Sequence, residues 1–444
     1  MEKTVMRYPN RQHTTLLLCL FWVLLGLALA LPAAAQTDLP EDLKTLISEA
    51  LKANPEVKQK DRLKSAAKEA VAPAGALDDP KLSVNILNLP VDTWSFAQEP
   101  MTQKQFALSQ KIPFPGKRRL RSEVASEQAR ADELTYQDKL QEVRARVIQG
   151  YWNLALTYAG FDITQKNKLF WEQVVQVAET RYGVGQGRQA DVLQAQVELG
   201  NYLNRLLQWR QRQESVQADL NALRSKPPQT PIPQPQPLKS RAFGLYLDRL
   251  LAQAKSRPQL ESLQALIARQ DKAVELARKD YLPDVNIGVA YGFRETLDPP
   301  VSRKQADFFS TTITFDLPIW YGSKLNPKLR EQLDRKSAAQ EAYRSLWDRL
   351  AAAIKDRYAK LQRLNHQISL YEQGIIPQAR QAAAASLADY QVGMLGFERL
   401  YQNQIAAYNA ELALQEYLKD FEENWAELEW LVGQDLPRTA GGRK

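Results

Sequence analysis

Residue types that most often carry out catalysis or bind metals are rare in this chain. Its 444 residues include one cysteine, Cys19, and two histidines, of which only His366 lies beyond the N-terminal region. The sequence contains no G-x-x-x-x-G-K-[ST] nucleotide loop and no H-E-x-x-H metal motif. A nucleophilic triad built on His366 has no further support. The sequence therefore predicts a protein that is not an enzyme and that has no cofactor and no metal site.

The first 35 residues have the features of a cleaved export signal. Three basic residues precede an apolar run at 16–30, and Ala33 to Ala35 offer an A-x-A cleavage site. The surroundings of Cys19 lack a lipoprotein signal, so we expect no lipidation, and the mature chain has no cysteine for a disulfide. The formal net charge of +8 is modest, and an exported protein is not expected to bind nucleic acid.

Internal repetition organises the rest of the chain. The motif RYGVGQG at 181–187 is echoed by DYQVGMLG at 389–396, and Ile112-Pro113 has a counterpart in Leu317-Pro318. Between the two copies lies a segment with six prolines from Pro227 to Pro237, which is typical of an extended linker. We therefore predict five parts: a signal peptide (1–35), a first structural repeat (36–224), a Pro-rich linker (225–242), a second structural repeat (243–433) and a C-terminal tail (434–444).

Each copy contains a candidate β-hairpin, at 81–113 and at 284–317. In the second hairpin, apolar residues alternate with small or polar ones and share one face: Val285, Ile287, Val289, Tyr291 and Phe293. Strands of about ten residues with this alternation suit an outer-membrane barrel, apolar towards lipid and polar towards the lumen. A soluble antiparallel sheet with one face in water is an equally good interpretation of the strands alone.

The helical patterns are too long for a compact domain. They run from Pro115 to about Gly183 and over a similar tract of the second copy, roughly 100 Å each, and shorter helices follow at about 188–224 and 397–432. We expect Pro377 to kink the second tract. Four strands cannot close a barrel, for which about eight is the minimum, so closure requires an oligomer. A trimer would supply twelve strands, although a dimer or tetramer also remains open.

The motifs NPEV, LDDPKLSV, QKIPFPGKRR, RYGVGQGRQADVLQAQ, LPDVNIG and DYQVG resemble those of the outer-membrane efflux protein (TolC) family over essentially the whole mature chain. The Gly-Lys-Arg after the second strand most resembles the branch for heavy-metal and cation efflux, although that branch is often lipidated. The resemblance implies an α+β membrane protein, with a duplicated unit of long coiled-coil helices plus β-hairpins. It further implies a homotrimeric 12-stranded β-barrel in the outer membrane, continued by a periplasmic α-helical barrel.

By the same resemblance, the protein is a passive exit duct for small molecules or metal cations. It would contact outer-membrane lipid and a periplasmic adaptor (membrane fusion) protein, and receive cargo from an inner-membrane transporter, expected to be proton-driven. One alternative is the outer-membrane duct of a type I protein secretion system. A periplasmic adaptor or a purely structural coiled-coil protein is a further alternative, but neither needs two copies of a barrel-type hairpin.

Three sets of site residues follow from the resemblance. The helical turns are expected to meet the adaptor: Tyr182, Gly183, Gly185, Gly187, Tyr390, Gly393 and Gly396. Two acids on the helices after these turns, Asp191 and Glu398, are expected to narrow the periplasmic aperture. The basic strand-to-helix segment is expected to form a membrane-interface collar: Pro113, Pro115, Lys117, Arg118, Arg119 and Arg121.

Each set also has a purely structural interpretation. Glycines permit tight turns whether or not a partner binds there. Asp191 stands where an acid complements a helix N-terminus, and in the second copy the equivalent count from the turn glycine gives Arg399, next to Glu398. The collar would equally be a solvated basic helix start, where Pro115 occupies the first turn without loss of a hydrogen bond.

Overall fold

The computed structural model describes residues 39–241 and 243–438. The predicted signal peptide therefore lies outside the described residues. The N-terminal half contains five helices and two strands: α1 (Glu41–Ala53), α2 (Pro55–Glu69), α3 (Val71–Gly75), β1 (Lys81–Leu87), β2 (Gln103–Ile112), α4 (Lys117–Gly183) and α5 (Gln189–Leu223).

The C-terminal half repeats this order with two interruptions. Its elements are α6 (Leu247–Ala254), α7 (Pro258–Lys279), β3 (Asp284–Phe293), β4 (Phe308–Asp316), a π-helical turn (Tyr321–Leu325), α8 (Asn326–Leu370), a second π-helical turn (Tyr371–Ile375), α9 (Ile376–Gln391) and α10 (Phe397–Val432). The second π-helical turn directly precedes Pro377, which lacks the N–H that an uninterrupted α-helix needs. None of the described helices combines the length and the hydropathy needed to cross a membrane.

The four strands form one antiparallel sheet in the order β1-β2-β3-β4. The register places Val84 opposite Phe106, Phe106 opposite Tyr291, and Tyr291 opposite Phe309. Because side chains alternate between the two faces of a strand, this register collects the apolar residues of all four strands on one face. That face is exposed to the surroundings of the single chain.

The opposite face of the sheet carries small and polar side chains. Its charged residues within the strands all stand at one end: Lys81, Lys111, Asp284 and Asp316. This is the end at which β1 and β3 begin, and at which β2 and β4 run on into the long helices. The helices and the charged side chains therefore meet at the same end of the sheet.

The core lies between the long helices, in two main clusters. The larger one packs α4 against α1, α8 and α10, around side chains such as Tyr151, Leu361 and Trp425. The Pro-rich segment is extended and packs on this cluster through Ile232 and Leu238, and the Gln236 N–H donates to the Tyr151 hydroxyl at 3.0 Å. The smaller cluster is aromatic and lies towards the helical turns.

The chain after α10 is folded back onto the helices. Arg438 is buried and donates to Glu422 at 2.8 Å and to Glu429 at 3.0 Å, while Arg241 of the Pro-rich segment reaches Glu422 at 2.8 Å. Removing one partner of a buried ion pair leaves an uncompensated charge, so these contacts hold the segments in one arrangement. The first five residues of the predicted C-terminal tail are therefore part of the packed structure.

Candidate functional site

The two helical turns share one backbone conformation. Gly185 and Gly393 both adopt a left-handed φ, of 74° and 82°, three residues after Tyr182 and Tyr390. Each glycine N–H donates to the carbonyl of that tyrosine, at 3.0 and 3.2 Å. Glycine adopts this conformation without the penalty that a Cβ would bring, which is why helices so often end this way. The repeated motifs therefore produce repeated turns.

The remaining turn glycines have different surroundings. A Cβ added at Gly187 would lie 3.0 Å from the Tyr182 backbone nitrogen, so the close approach of the chain requires glycine there. Gly183 and Gly396 have nothing within 4 Å of that position. These two positions therefore leave room on the surface of the turns.

The two turn tyrosines are not equivalent. The Tyr182 side chain is 50% exposed, whereas Tyr390 is 1% exposed and packs on Phe397 with ring centroids 6.0 Å apart. Of the two turn tyrosines expected near the adaptor, only Tyr182 therefore has an exposed ring. The Tyr390 ring is held inside the protein because α9 and α10 meet over it.

Arg181 connects the two turns, and the sequence analysis missed it. It is the third residue from the end of α4, and its guanidinium lies over the Tyr390 ring at 4.6 Å. The same side chain donates to the Tyr390 carbonyl and, at 3.1 Å, to the Gln186 carbonyl. A cation is favourable at helix C-termini, where carbonyls lack partners. The signal was a break in the repeat, because Asp389 stands at the equivalent position of the second copy.

The structure places the two aperture acids in different environments. Asp191 lies in the first turn of α5, mostly covered, with a carboxylate oxygen 3.4 Å from an Arg188 guanidinium nitrogen. Burial raises the pKa of the Tyr390 hydroxyl, and the nearby Asp191 carboxylate raises it further. Glu398 is exposed on α10 and accepts a hydrogen bond from Gln402 at 2.8 Å. Within the described residues, no ion pair or hydrogen bond joins these two acids.

The aromatic cluster beneath the turns fixes the four helices that lead to them. Trp171 stacks on Tyr202 with ring centroids 6.4 Å apart and also packs on Phe397. Burial raises the pKa of Tyr202 to about 12, so its hydroxyl stays neutral at physiological pH. The helices next to the turns are therefore held in place by a packed aromatic core.

The first strand-to-helix junction, residues 113–117, is closed by residues from the second repeat. Gly116 adopts a left-handed φ of 92°, which turns the chain from β2 into α4. Lys117 is 4% exposed, and its Nζ lies 2.7 Å from the Asp284 carboxylate and donates to the Leu282 carbonyl at 2.9 Å. The Phe114 N–H donates to the same carboxylate at 2.9 Å.

This geometry corrects the predicted collar. Lys117 cannot contact lipid headgroups, because its ammonium is buried and paired inside the chain. Arg118 donates to the Gly75 carbonyl at 2.9 Å but remains exposed, and Arg119 pairs with Glu123 while keeping most of its side chain in solvent. Arg121 is half-buried. Asp284 was missed because its partner is 167 positions away in the sequence.

The second strand-to-helix junction, residues 317–325, is open. Leu317, Ile319, Trp320 and Tyr321 are all exposed, Trp320 to 66%. The junction borders a cavity of about 600 Å³ between the end of β4 and the start of α8, lined by both apolar and charged side chains. No sequence motif pointed to this cavity.

The described residues contain no group of three or more His, Cys, Asp or Glu side chains that could hold a metal ion. The long helices, the two turns and the amphipathic sheet together make two copies of one unit, a helical hairpin joined to a β-hairpin.

A model of the outer membrane efflux protein family matches residues 46–225 and 250–434. The chain therefore belongs to the outer membrane efflux protein family, as predicted, and this family consists of outer-membrane channels that are not enzymes. A search among curated proteins found no match.

Several solved channel structures share the fold. The outer-membrane channel OprN gives a TM-score of 0.76 at 16% identity, covering 89% of this chain and 90% of that one. CusC gives 0.74 at 17% identity, covering 89% and 93%. VceC from Vibrio cholerae gives 0.75 at 19% identity, covering 88% and 96%. At these identities the likeness shows the fold alone.

Proposed function

We propose that this protein is the outer-membrane channel of a tripartite efflux system, a passive exit duct for small molecules or metal cations. The observation that carries the proposal is the apolar face that runs in register across all four strands and is exposed in the single chain. An exposed apolar face of this extent indicates contact with lipid or with another chain. Alternation between this face and a polar one suits a strand that separates lipid from water.

Closure of the sheet requires several copies. The edge strands β1 and β4 each have a strand partner on one side only within the described chain, and an open edge of a sheet needs to be paired or covered. Three copies supply twelve strands, enough to close a barrel around a water-filled lumen. The proposed protein is thus a homotrimer, with two structural repeats from each subunit and an N-terminal signal that directs its export.

The long helices continue the duct into the periplasm. Because α4 alone has 67 residues, it spans about 100 Å at 1.5 Å per residue, and the two turns lie at its far end. We place adaptor contacts at the exposed surface of these turns, around Tyr182, Gly183 and Gly396. Because the sequence has no nucleotide-binding loop, the energy comes from the inner-membrane transporter, which we propose to be proton-driven.

The narrowest point of the duct is proposed at Asp191 and Glu398, which repeat around a trimer. Glu398 is exposed and has no ion pair in the described structure, so in the proposed trimer its charge would act on the lumen, whereas an Asp191 carboxylate oxygen lies 3.4 Å from an Arg188 guanidinium nitrogen. Rings of carboxylates favour cations over anions in a narrow pore. Near this point, Arg181 at the end of α4 lies over the ring of Tyr390 at the end of α9 and donates to its carbonyl, which ties the two turns together.

Single-channel recording in a planar lipid bilayer tests the proposal. We expect small cation-selective currents from purified protein, and larger, less selective currents when Asp191→Asn is combined with Glu398→Gln. Glu214→Gln, an exposed acid on α5 without an ion pair in the described structure, is the matched control and should leave the currents unchanged. Unchanged currents in the double variant would remove the aperture assignment. Folded protein that forms no channel would overturn the proposed function.

A further inference from the structure

The cavity at the second strand-to-helix junction is lined by one charged side chain that forms no ion pair in the described structure. Its other cations are paired: Lys111 with Asp316 at 2.8 Å, Lys117 with Asp284 at 2.7 Å, and Lys328 with Asp280 at 2.7 Å. Lys324 also lines the cavity, is exposed, and has no ion pair with any residue that the structure describes. The lining of the cavity therefore includes one lysine whose positive charge is not paired by the residues that the structure describes.

The first junction shows what the second one lacks. In the sequence, Gly116-Lys117 corresponds to Gly322-Ser323-Lys324 of the second repeat. Lys117 is satisfied by Asp284, which begins the next strand of the sheet, β3. Lys324 follows β4, after which the described part of the chain has no further strand. By the logic of the repeat, the missing partner is an acid at or near the start of the strand that follows β4 around a closed sheet.

In a ring of copies, that following strand is β1 of a second copy. The segment before β1 carries two exposed acids, Asp78 and Asp79, which have no ion pair in the described part of the chain. The Asp78 carbonyl accepts from Gln110 at 2.7 Å, so the segment lies against β2, at the end of the sheet where β4 also ends. Exposed Leu77 adds an apolar side chain next to these acids.

We propose that residues 77–81 of a second copy of this chain occupy the cavity, with Asp79 pairing with Lys324 as Asp284 pairs with Lys117. The cavity offers an apolar wall of Phe315, Leu317 and Trp320 for Leu77 and a lysine for the acid. The two acids differ in their position relative to the neighbouring proline: Asp79 precedes Pro80, whereas Asp284 follows Pro283. The inference rests on the proposed oligomeric channel and specifies which side chains join its subunits.

Engineered cysteines test the pairing directly. In a Cys19→Ser background, the chain carries no cysteine, so Asp79→Cys combined with Lys324→Cys should give covalent dimers and trimers when membranes are mildly oxidised. Each single variant should give none. Asp79→Cys combined with Lys304→Cys is the matched control, because Lys304 is also exposed but lies in the loop between β3 and β4, at the opposite end of the sheet. It should give no covalent species.

Charge reversal gives an independent measurement. Lys324→Glu should raise the fraction of dissociated subunits in detergent about fivefold, measured by native mass spectrometry, and Asp79→Lys should reverse much of that rise. Lys239→Glu, the same change at an exposed lysine of the Pro-rich segment, should have no effect.

The outcomes separate the inference from the proposed function. Trimers that neither cross-link at these positions nor respond to charge reversal would overturn the pairing and leave the channel intact. A cavity that instead binds phospholipid, seen as lipid adducts of one subunit in the mass spectrum, would also overturn it. Protein that remains a single chain would overturn the proposed oligomeric channel and the inference together.

Discussion

The two strand-to-helix junctions have the same plan but different surroundings. At the first, Lys117 is buried against Asp284, and Gly116 turns the chain with a left-handed φ of 92°. At the second, a π-helical turn replaces the glycine turn, and Leu317, Ile319 and Trp320 are exposed. The first junction is covered by the repeat that follows it. Within the described residues, no repeat follows the second.

This difference shows that one repeat is completed by the next. The Asp284 carboxylate accepts from both Lys117 Nζ and the Phe114 N–H, so it satisfies a charge and a backbone donor at once. Such a double partner stabilises a chain reversal that would otherwise leave polar groups buried and unpaired. The open junction has the same elements without this partner.

Removing the two junction lysines should have the largest and most unequal effect. We expect Lys117→Met to lower the free energy of unfolding by about 3 kcal/mol, because it leaves the Asp284 carboxylate without its nearest cation. Lys324→Met should change the unfolding free energy of the single subunit by less than about 0.5 kcal/mol, since Lys324 is exposed. Urea unfolding of dissociated protein in detergent, monitored by circular dichroism, measures both.

A double variant sharpens this comparison. Lys117→Met with Asp284→Asn should be less destabilised than Lys117→Met alone, because the isolated charge is gone. Equal losses from Lys117→Met and Lys324→Met would show that the two junctions do not differ in the way described.

Alanine at the two junction glycines should have an intermediate effect. Gly116→Ala should cost about 1 kcal/mol, because an L-residue is strained at a left-handed φ. The contact it makes, 3.1 Å to Lys279 Cε, is with the end of a flexible side chain that can move. Gly322 has an ordinary φ and nothing within 4 Å, so Gly322→Ala should cause no loss. Thermal unfolding of the two variants, compared with the parent, distinguishes them; similar losses would contradict the comparison.

The smallest effect concerns the partly buried ion pairs of Glu49 and depends on pH. Hydrogen bonding to Lys226, helped by Arg224, holds the pKa of Glu49 below its ordinary value, despite some opposition from burial. Because this pKa is lowered on folding, the contribution is present above the ordinary value near 4.5 and is lost as the pH falls through the folded value. Solvent screening keeps it below about 1 kcal/mol.

Glu49→Gln should therefore lower stability slightly at pH 7 and have a smaller effect near pH 3. Unfolding midpoints measured at both pH values test the sign. A larger loss at pH 3 than at pH 7 would contradict it.

Several elements could be predicted closely from the sequence. The turns at Gly185 and Gly393 were found because their motifs repeat, and the predicted helix from Pro115 to about Gly183 differs from the observed Lys117–Gly183 by two residues at its start. The family was identified from the same motifs and is confirmed. These features depend on residues near each other in the chain, so the local pattern is sufficient.

Long-range contacts could not be predicted. Lys117 was predicted to lie in a membrane-interface collar and Arg181 was not singled out, yet Lys117 is buried against Asp284 and Arg181 lies on the Tyr390 ring. Tyr182 and Tyr390 occupy matching positions in the two motifs, but only Tyr182 is exposed. For Arg181 and Lys117 the deciding neighbour comes from the other repeat, whereas Tyr390 packs on Phe397 of its own repeat.

The sequence by itself determined the alternation of the strands, the lengths of the helices, the positions of the turns and the existence of two copies. Periodicity, proline and left-handed glycine act within a few residues, which is why these features can be read without coordinates. Only the tertiary structure decided that the two copies are not equivalent. Burial and ion pairing depend on which side chains meet in space, and Lys117 meets a carboxylate of the next repeat, whereas Lys324 in the single chain does not.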